Sequence, residues 1–101
     1  MMLAKVHKNI EGKVILALCD KELIRKKFVE GDLQLDLTSD FYMGEEKSLD
    51  KIKKMINGVN VINAVGENSI KFLKELKLID EDKIIKIAGV PHAEVVIVSE
   101  D

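Results

Sequence analysis

Tryptophan is absent from this chain, and cysteine, proline and tyrosine each occur once, as Cys19, Pro91 and Tyr42. A single cysteine excludes an internal disulfide framework and an all-cysteine metal site, and it fits a reducing compartment. Aromatic residues make up only 4% of the sequence, so the core must be aliphatic. Long apolar runs are missing as well. Near the N-terminus the longest is Val14 to Cys19, far below the roughly 18 residues that cross a membrane as a helix. The opening MMLAKVHKNIEGK places lysines, a histidine and a glutamate where a signal peptide needs an unbroken apolar stretch. These absences predict a cytoplasmic protein without membrane attachment. Nor is there an excess of basic charge: the net charge is −2, so the chain as a whole exerts no pull on a polyanion, and any nucleic-acid contact must come from a local patch.

What is present describes a small folded protein. The 101 residues are enough for one hydrophobic core and too few for two, so residues 1–101 are read as a single domain. Hydrophobic residues make up 47% and charged residues 34%, and no segment is poor enough in apolar residues to be disordered. The abundance of lysine, isoleucine and glutamate fits the surface ion-pair networks of thermophile proteins. AT-rich codon usage produces the same bias, and composition leaves both open.

Along the chain, Leu3 to His7 and Lys13 to Cys19 are β-type runs joined by a glycine-containing hairpin loop, Lys8 to Gly12. Asp20 stands at an N-cap position, and Lys21 to Lys27 is expected to form a short helix turning Leu23, Ile24 and Phe28 inward. Leu33, Leu35 and Leu37 alternate with Gln34 and Asp36, the period of a strand with one wet face. Thr38 to Lys47 reads as the longest loop. Ser48 caps a helix to Asn57, with Leu49, Ile52 and Ile56 at i, i+3 and i+7. Asn60 to Val65 suits either a strand or an early helical turn. Gly66 to Ser69 opens a second amphipathic helix, carried by Ile70, Leu73 and Leu76 to about Leu78. A final hairpin pairs Lys83 to Ala88 with Ala93 to Val98. Its unalternating run Val95 to Val98 suggests a central strand covered on both faces. The order of elements predicts an α+β fold, a mainly antiparallel or mixed sheet of five to six strands with two or three helices on one face.

Two places hold the least generic residues. Gly89-Val90-Pro91-His92-Ala93 looks like a specified turn rather than an ordinary Asn-Gly hairpin. A histidine fixed there can act as a general base or as an anion donor, or its imidazole can pin the hairpin to a neighbouring carbonyl. Asn63 to Glu67, with Gly66 before a helix, offers free backbone N–H groups to an anion, but it lacks the GxxxxGK[ST] and GxGxxG patterns, and Glu67 would repel a phosphate. The candidate site is therefore Asn63, Gly66, Glu67, Gly89, Pro91 and His92. Cys19 beside Asp20 resembles a nucleophile next to an acid, but a carboxylate neighbour raises a thiol's pKa, which favours a buried core cysteine. His7 and His92 lack metal-ligand spacing, so no metal and no cofactor is expected.

The basic residues fall in two clusters, Lys21, Arg25, Lys26 and Lys27, and then Lys47, Lys51 and Lys54 along the middle helix. If these converge around Tyr42 or Phe41, Arg25, Lys26, Lys27, Lys51, Lys54 and Tyr42 would offer phosphate contacts and a stacking platform. Otherwise they solvate exposed faces and pair with Glu22, Glu46 and Asp50.

The segments CDKELIRKKFVEGDLQLDL, FYMGEE, NAVGENSI and IAGVPHAEVV, in that order and spacing, resemble the archaeal "domain of unknown function 424" family over almost the whole chain. The blocks Gly-Val-Pro-His-Ala and Asn-Ala-Val-Gly-Glu carry the resemblance. The family pattern has glycines where Arg25 and Met43 stand, so the turns there are expected to differ. The resemblance implies an archaeal, intracellular, single-domain protein of a family without an established activity. The residues together favour a non-enzymatic binding module, with RNA or a translation-linked ribonucleoprotein ranked first and a protein-interaction or self-associating module second. A small enzyme using His92 and Glu67 ranks last, because no complete catalytic constellation can be assembled.

Overall fold

In the computed structural model, which describes residues 2–97, the first hairpin forms as its residue pattern dictates. Strands β1 (Met2–Lys8) and β2 (Val14–Asp20) pair antiparallel, with Met2 opposite Asp20 and Lys8 opposite Val14. Asn9 closes the loop: its side-chain oxygen accepts from the backbone N–H groups of Glu11 and Lys13, both at 2.9 Å. Further strands are β3 (Lys27–Glu30), β4 (Leu33–Asp36), β5 (Glu45–Lys47), β6 (Val61–Val65), β7 (Ile85–Ile87) and β8 (Val90–Val96). The α-helices are α1 (Leu49–Ile56) and α2 (Glu67–Glu75). Six strands form one mixed sheet in the order β5-β1-β2-β6-β8-β7, and β3 and β4 form a separate hairpin. The β2–β6 pairing is parallel and the other pairings are antiparallel. The expected α+β class and the mixed sheet are thus what the chain forms.

Alternation along the strands divides the apolar residues between the two faces of the sheet. Leu16, Leu18, Ile62, Ala64, Ala93 and Val95 face α1 and α2 and pack with Ile52, Ile70, Phe72 and Leu73. Ala17, Cys19, Val65 and Ile87 point the other way, where Leu35, Leu37 and Tyr42 cover them. The large sheet therefore lies between a helical layer and a smaller cap built from the β3–β4 hairpin and the segment around Tyr42.

Several local expectations change. Lys21 to Lys27 is no helix: a 3-10 turn covers Lys21–Leu23 and strand β3 begins at Lys27. Arg25 interrupts it with φ of +69°, the left-handed region that glycine favours, while its N–H donates to the Leu37 carbonyl at 2.9 Å. Phe28 then sits opposite Leu35 under the sheet. Thr38 to Lys47 holds a 3-10 turn, Asp40–Tyr42, and the edge strand β5. Ser48 does cap α1, its hydroxyl accepting from Lys51 N at 3.3 Å, but Leu49 stays 52% exposed and only Ile52 of the expected inward set is fully buried. Asn60 to Val65 resolves to a strand from Val61. The last turn is Ala88-Gly89, both with positive φ, so Pro91 and His92 lie within β8 rather than in a turn. Strand β8 is not central: β2 and β6 occupy the middle, and Val96 is 63% exposed. Val98, the end of the expected strand, lies outside the described residues.

One junction locks the layers together. Strand β6 ends at Gly66, whose φ of +109° and ψ of 156° lie in a region that essentially only glycine occupies. A Cβ there would stand 2.3 Å from the Asp20 side chain. The close approach lets the buried Asp20 carboxylate accept from Asn68 N at 2.9 Å and from Ser69 N and Ser69 Oγ at 2.8 Å. Asp20 is an N-cap after all, but of α2, 48 residues further on, and not of the turn that follows it. Removing the carboxylate by Asp20→Ala leaves these donors unpaired in a buried setting and is expected to destabilise the fold by about 3 kcal/mol. Gly66→Ala should cost at least as much. Urea denaturation followed by circular dichroism measures both, and an Asp20→Ala variant as stable as the parent would contradict this role.

Candidate functional site

The sites expected from the sequence separate in space. Gly66, Pro91 and Gly89 serve the backbone. Gly66 admits Asp20, its N–H donates to the Pro91 carbonyl at 2.9 Å, and Gly89 completes the β7–β8 turn. Glu67 opens α2 on the helical layer and is exposed. Asn63 and His92 share the opposite face of the sheet, so His92 and Glu67 do not form one pocket. Cys19 is fully buried, and its thiol is pushed up to about 12, chiefly by burial and then by the charges of Asp20 and Glu22. It is a core residue. In the native protein it should resist iodoacetamide and react only after denaturation, as mass spectrometry of the alkylated chain would show; rapid native labelling would place it elsewhere.

Register brings Asn63, His92 and Glu94 to the face of the sheet that carries the cap. Asn63 on β6 stands directly opposite Glu94 on β8, which puts their Cβ atoms about 5 Å apart. His92 lies two residues before Glu94 on the same face. Tyr42, 8% exposed, packs in the same cluster as Cys19, and burial first, then the Cys19 and Glu94 groups, raise its pKa. Among the described residues none of these four side chains forms a hydrogen bond or an ion pair with another part of the chain. Glu94 is the residue that sequence reading missed. Its signal was available: like Asn63 in VINAV, it is the lone strongly polar residue in an apolar strand, and it sits two positions from His92.

Burial lowers the His92 pKa from 6.5, and the neighbouring Glu94 only partly offsets this. The unfolded chain takes up the proton first as pH falls, so stability should decline below about pH 6.5 and level off once the folded imidazole is also charged. His92→Gln should flatten that limb of a stability profile recorded between pH 7.5 and 5 in urea. An unchanged slope would mean that His92 titrates normally.

On the same face of the sheet, at β1, the His7 ring stacks on Phe41 with centroids 4.5 Å apart, and Nε2 lies 2.8 Å from the Phe41 carbonyl. A carbonyl only accepts, so Nε2 carries the proton there. Lys5 Nζ donates to the Asp40 carbonyl at 2.9 Å. These contacts fasten the Asp40–Tyr42 turn to the sheet and hold Tyr42 in place.

The basic residues do not converge. Arg25, Lys26 and Lys27 lie with the β3–β4 cap, whereas Lys51 and Lys54 are exposed on α1 across the sheet. Tyr42 is buried and presents no ring face to a base. Lys21 is paired with Glu46 at 2.8 Å. The helical layer has its own concavity instead, a groove of about 320 Å³ between the start of α1 and α2. Lys47, Ser48, Asn68 and Lys71 line it above Leu49 and Phe72. Among the described residues no group of three or more His, Cys, Asp or Glu is placed to hold a metal, and no helix is long and apolar enough to cross a membrane.

Residues 8–98 match the family model described as "Protein of unknown function (DUF424)". The chain belongs to this family. As a DUF424 member it is also similar to a solved structure described as an uncharacterized conserved protein from Methanopyrus kandleri. The two share 28% sequence identity with a TM-score of 0.81, over 99% of this chain and 94% of that one. A comparison with curated proteins found no match. The DUF424 chain thus shares its architecture with an archaeal protein, and neither the family description nor that protein's carries a stated activity.

Proposed function

We propose that this protein is a cytoplasmic, non-enzymatic module that binds RNA through its helical layer. The observation that carries the reading is charge segregation. Residues 47–78, which supply both helices and the groove between them, hold seven lysines against three carboxylates, a net of +4 in a chain of net −2. The rest of the chain carries nine basic and fifteen acidic side chains, a net of −6. Lys47 and Lys71 flank the groove at the N-terminus of α1, and Lys51 and Lys54 extend the basic surface along the helix. Phosphates would be attracted to this layer.

The four aromatic residues argue for backbone rather than base recognition. Phe28, Phe41, Phe72 and Tyr42 all pack within the two core clusters, so none is free to stack a base. Binding is therefore expected to be largely sequence-independent. With about four phosphate contacts, log K should fall with log salt at a slope of about −3.

Fluorescence anisotropy with a short mixed-sequence single-stranded RNA tests this. The double variant Lys47→Glu, Lys71→Glu should weaken binding by about tenfold or more and reduce the slope by about 1.5, while Arg25→Glu, Lys26→Glu on the other layer should change neither much. Affinity indifferent to salt, or to the Lys47 and Lys71 charges, would reject the reading.

A further inference from the structure

The groove between the helices is lined by more than charge. Asn68, Lys71, Phe72 and Glu75 follow one another at i, i+3, i+4 and i+7 along α2 and form one wall, while Lys47 and Leu49 come from the entry to α1. Phe72 is buried, whereas Leu49 is 52% exposed, so the groove presents aliphatic carbon to whatever enters it. A phosphate has no use for that surface: Lys47 and Lys71 attract it by charge, and apolar carbon beside it only takes away water. The part of the groove around Leu49 is suited to a portion of the ligand that carries no charge.

In RNA the uncharged portion is the base. The volume of about 320 Å³ lies at the lower end of the range in which small-molecule sites are built, room for one nucleotide and not for a duplex. In an A-form duplex the bases are stacked inside and the surface offers ribose hydroxyls, phosphates and a shallow groove, whereas a single strand can splay a base out into a pocket. The polar side chains suit such a guest. The Asn68 amide both donates and accepts, and Glu75 repels a phosphate but accepts from a base amino group. Among the described residues Lys71 and Glu75 are in no ion pair, and Lys47 has only an exposed contact with Glu45 at 3.6 Å, weak enough to give way to a phosphate.

We infer that this groove holds one unstacked nucleotide, its base against Leu49 and its phosphate between Lys47 and Lys71, and that the protein is therefore selective for single-stranded over double-stranded RNA. The inference rests on the RNA reading above and names the form of RNA that is taken. Because the base rests on aliphatic carbon and Asn68 can pair with any base edge, the groove holds a base without selecting its identity. A surface that reads phosphates alone would behave in the opposite way, since a duplex has the higher charge density and binds a basic face at least as well.

Fluorescence anisotropy with one labelled mixed-sequence RNA, free and annealed to its complement, tests this at a fixed salt concentration. The parent should bind the single strand about tenfold more tightly than the duplex. Leu49→Ser should weaken single-strand binding about fivefold with an unchanged salt slope and leave duplex affinity where it was, while Leu49→Met should bind as the parent does. Lys47→Glu, Lys71→Glu should instead weaken binding of both forms and reduce the slope. Leu49 is half exposed, so the serine variant is expected to stay folded, and its unaltered duplex affinity reports that directly. Equal or tighter binding of the duplex by the parent, or a Leu49→Ser variant that binds the single strand as the parent does, would overturn this inference and leave salt-dependent phosphate binding standing. No binding of either form would overturn the RNA reading and this inference with it.

Discussion

A buried carboxylate accepting three hydrogen bonds from the start of α2 is the interaction on which this architecture depends. Burying a charge is unfavourable unless its hydrogen-bonding capacity is met, and Asp20 meets it with two backbone N–H groups and the Ser69 hydroxyl. The α2 N-terminus adds a favourable dipole at the same point. The contact forms only because Gly66 has no Cβ. Through it the end of β2, the end of β6 and the first turn of α2 are held as one unit, which aligns the parallel pair at the centre of the sheet. Asn60 fastens the other end: its side chain accepts from Val14 N and its backbone N–H donates to the Val14 carbonyl, both at 2.8 Å.

That frame places two unlike surfaces back to back. Helices α1 and α2 turn Ile52, Ile70 and Leu73 toward the sheet, which leaves their lysines on the outside. The cap covers part of the other face and leaves Glu94 exposed beside the half-buried Asn63 and His92. Along the strands, core residues and surface residues occupy alternate positions, so the two faces carry separate chemistry.

How far the sequence revealed this depended on the range of the interactions involved. Ser48 and the i, i+3, i+7 spacing after it announced α1 because a cap and its helix are neighbours in the chain. The β1–β2 hairpin was visible for the same reason. Asp20 was readable as a cap, but its partner lies 48 residues away, so local reasoning assigned it to the wrong helix. Lys21 to Lys27 has acceptable helix formers, yet Phe28 opposite Leu35 and the left-handed Arg25 override that preference. Of the candidate site, Asn63 and His92 were identified, but their link to each other and to Glu94 is a matter of strand register, which no single strand encodes. Tyr42 was offered as a stacking platform only if the basic clusters converged, and it is instead buried against β2 and β6.

The pairing of β2 with β6 has a kinetic implication. Between these parallel strands the chain carries β3, β4, β5 and α1, and the Asp20–Ser69 contact closes a loop of 49 residues. Loop-closure entropy is lost before such non-local contacts can repay it, which slows folding relative to helical proteins of similar size. Helix α2 is only nine residues long, too short to persist alone in water, and it has no cap until β2 arrives. Its formation is therefore tied to the late, long-range step, and the helical signal should rise together with the tertiary contacts rather than ahead of them.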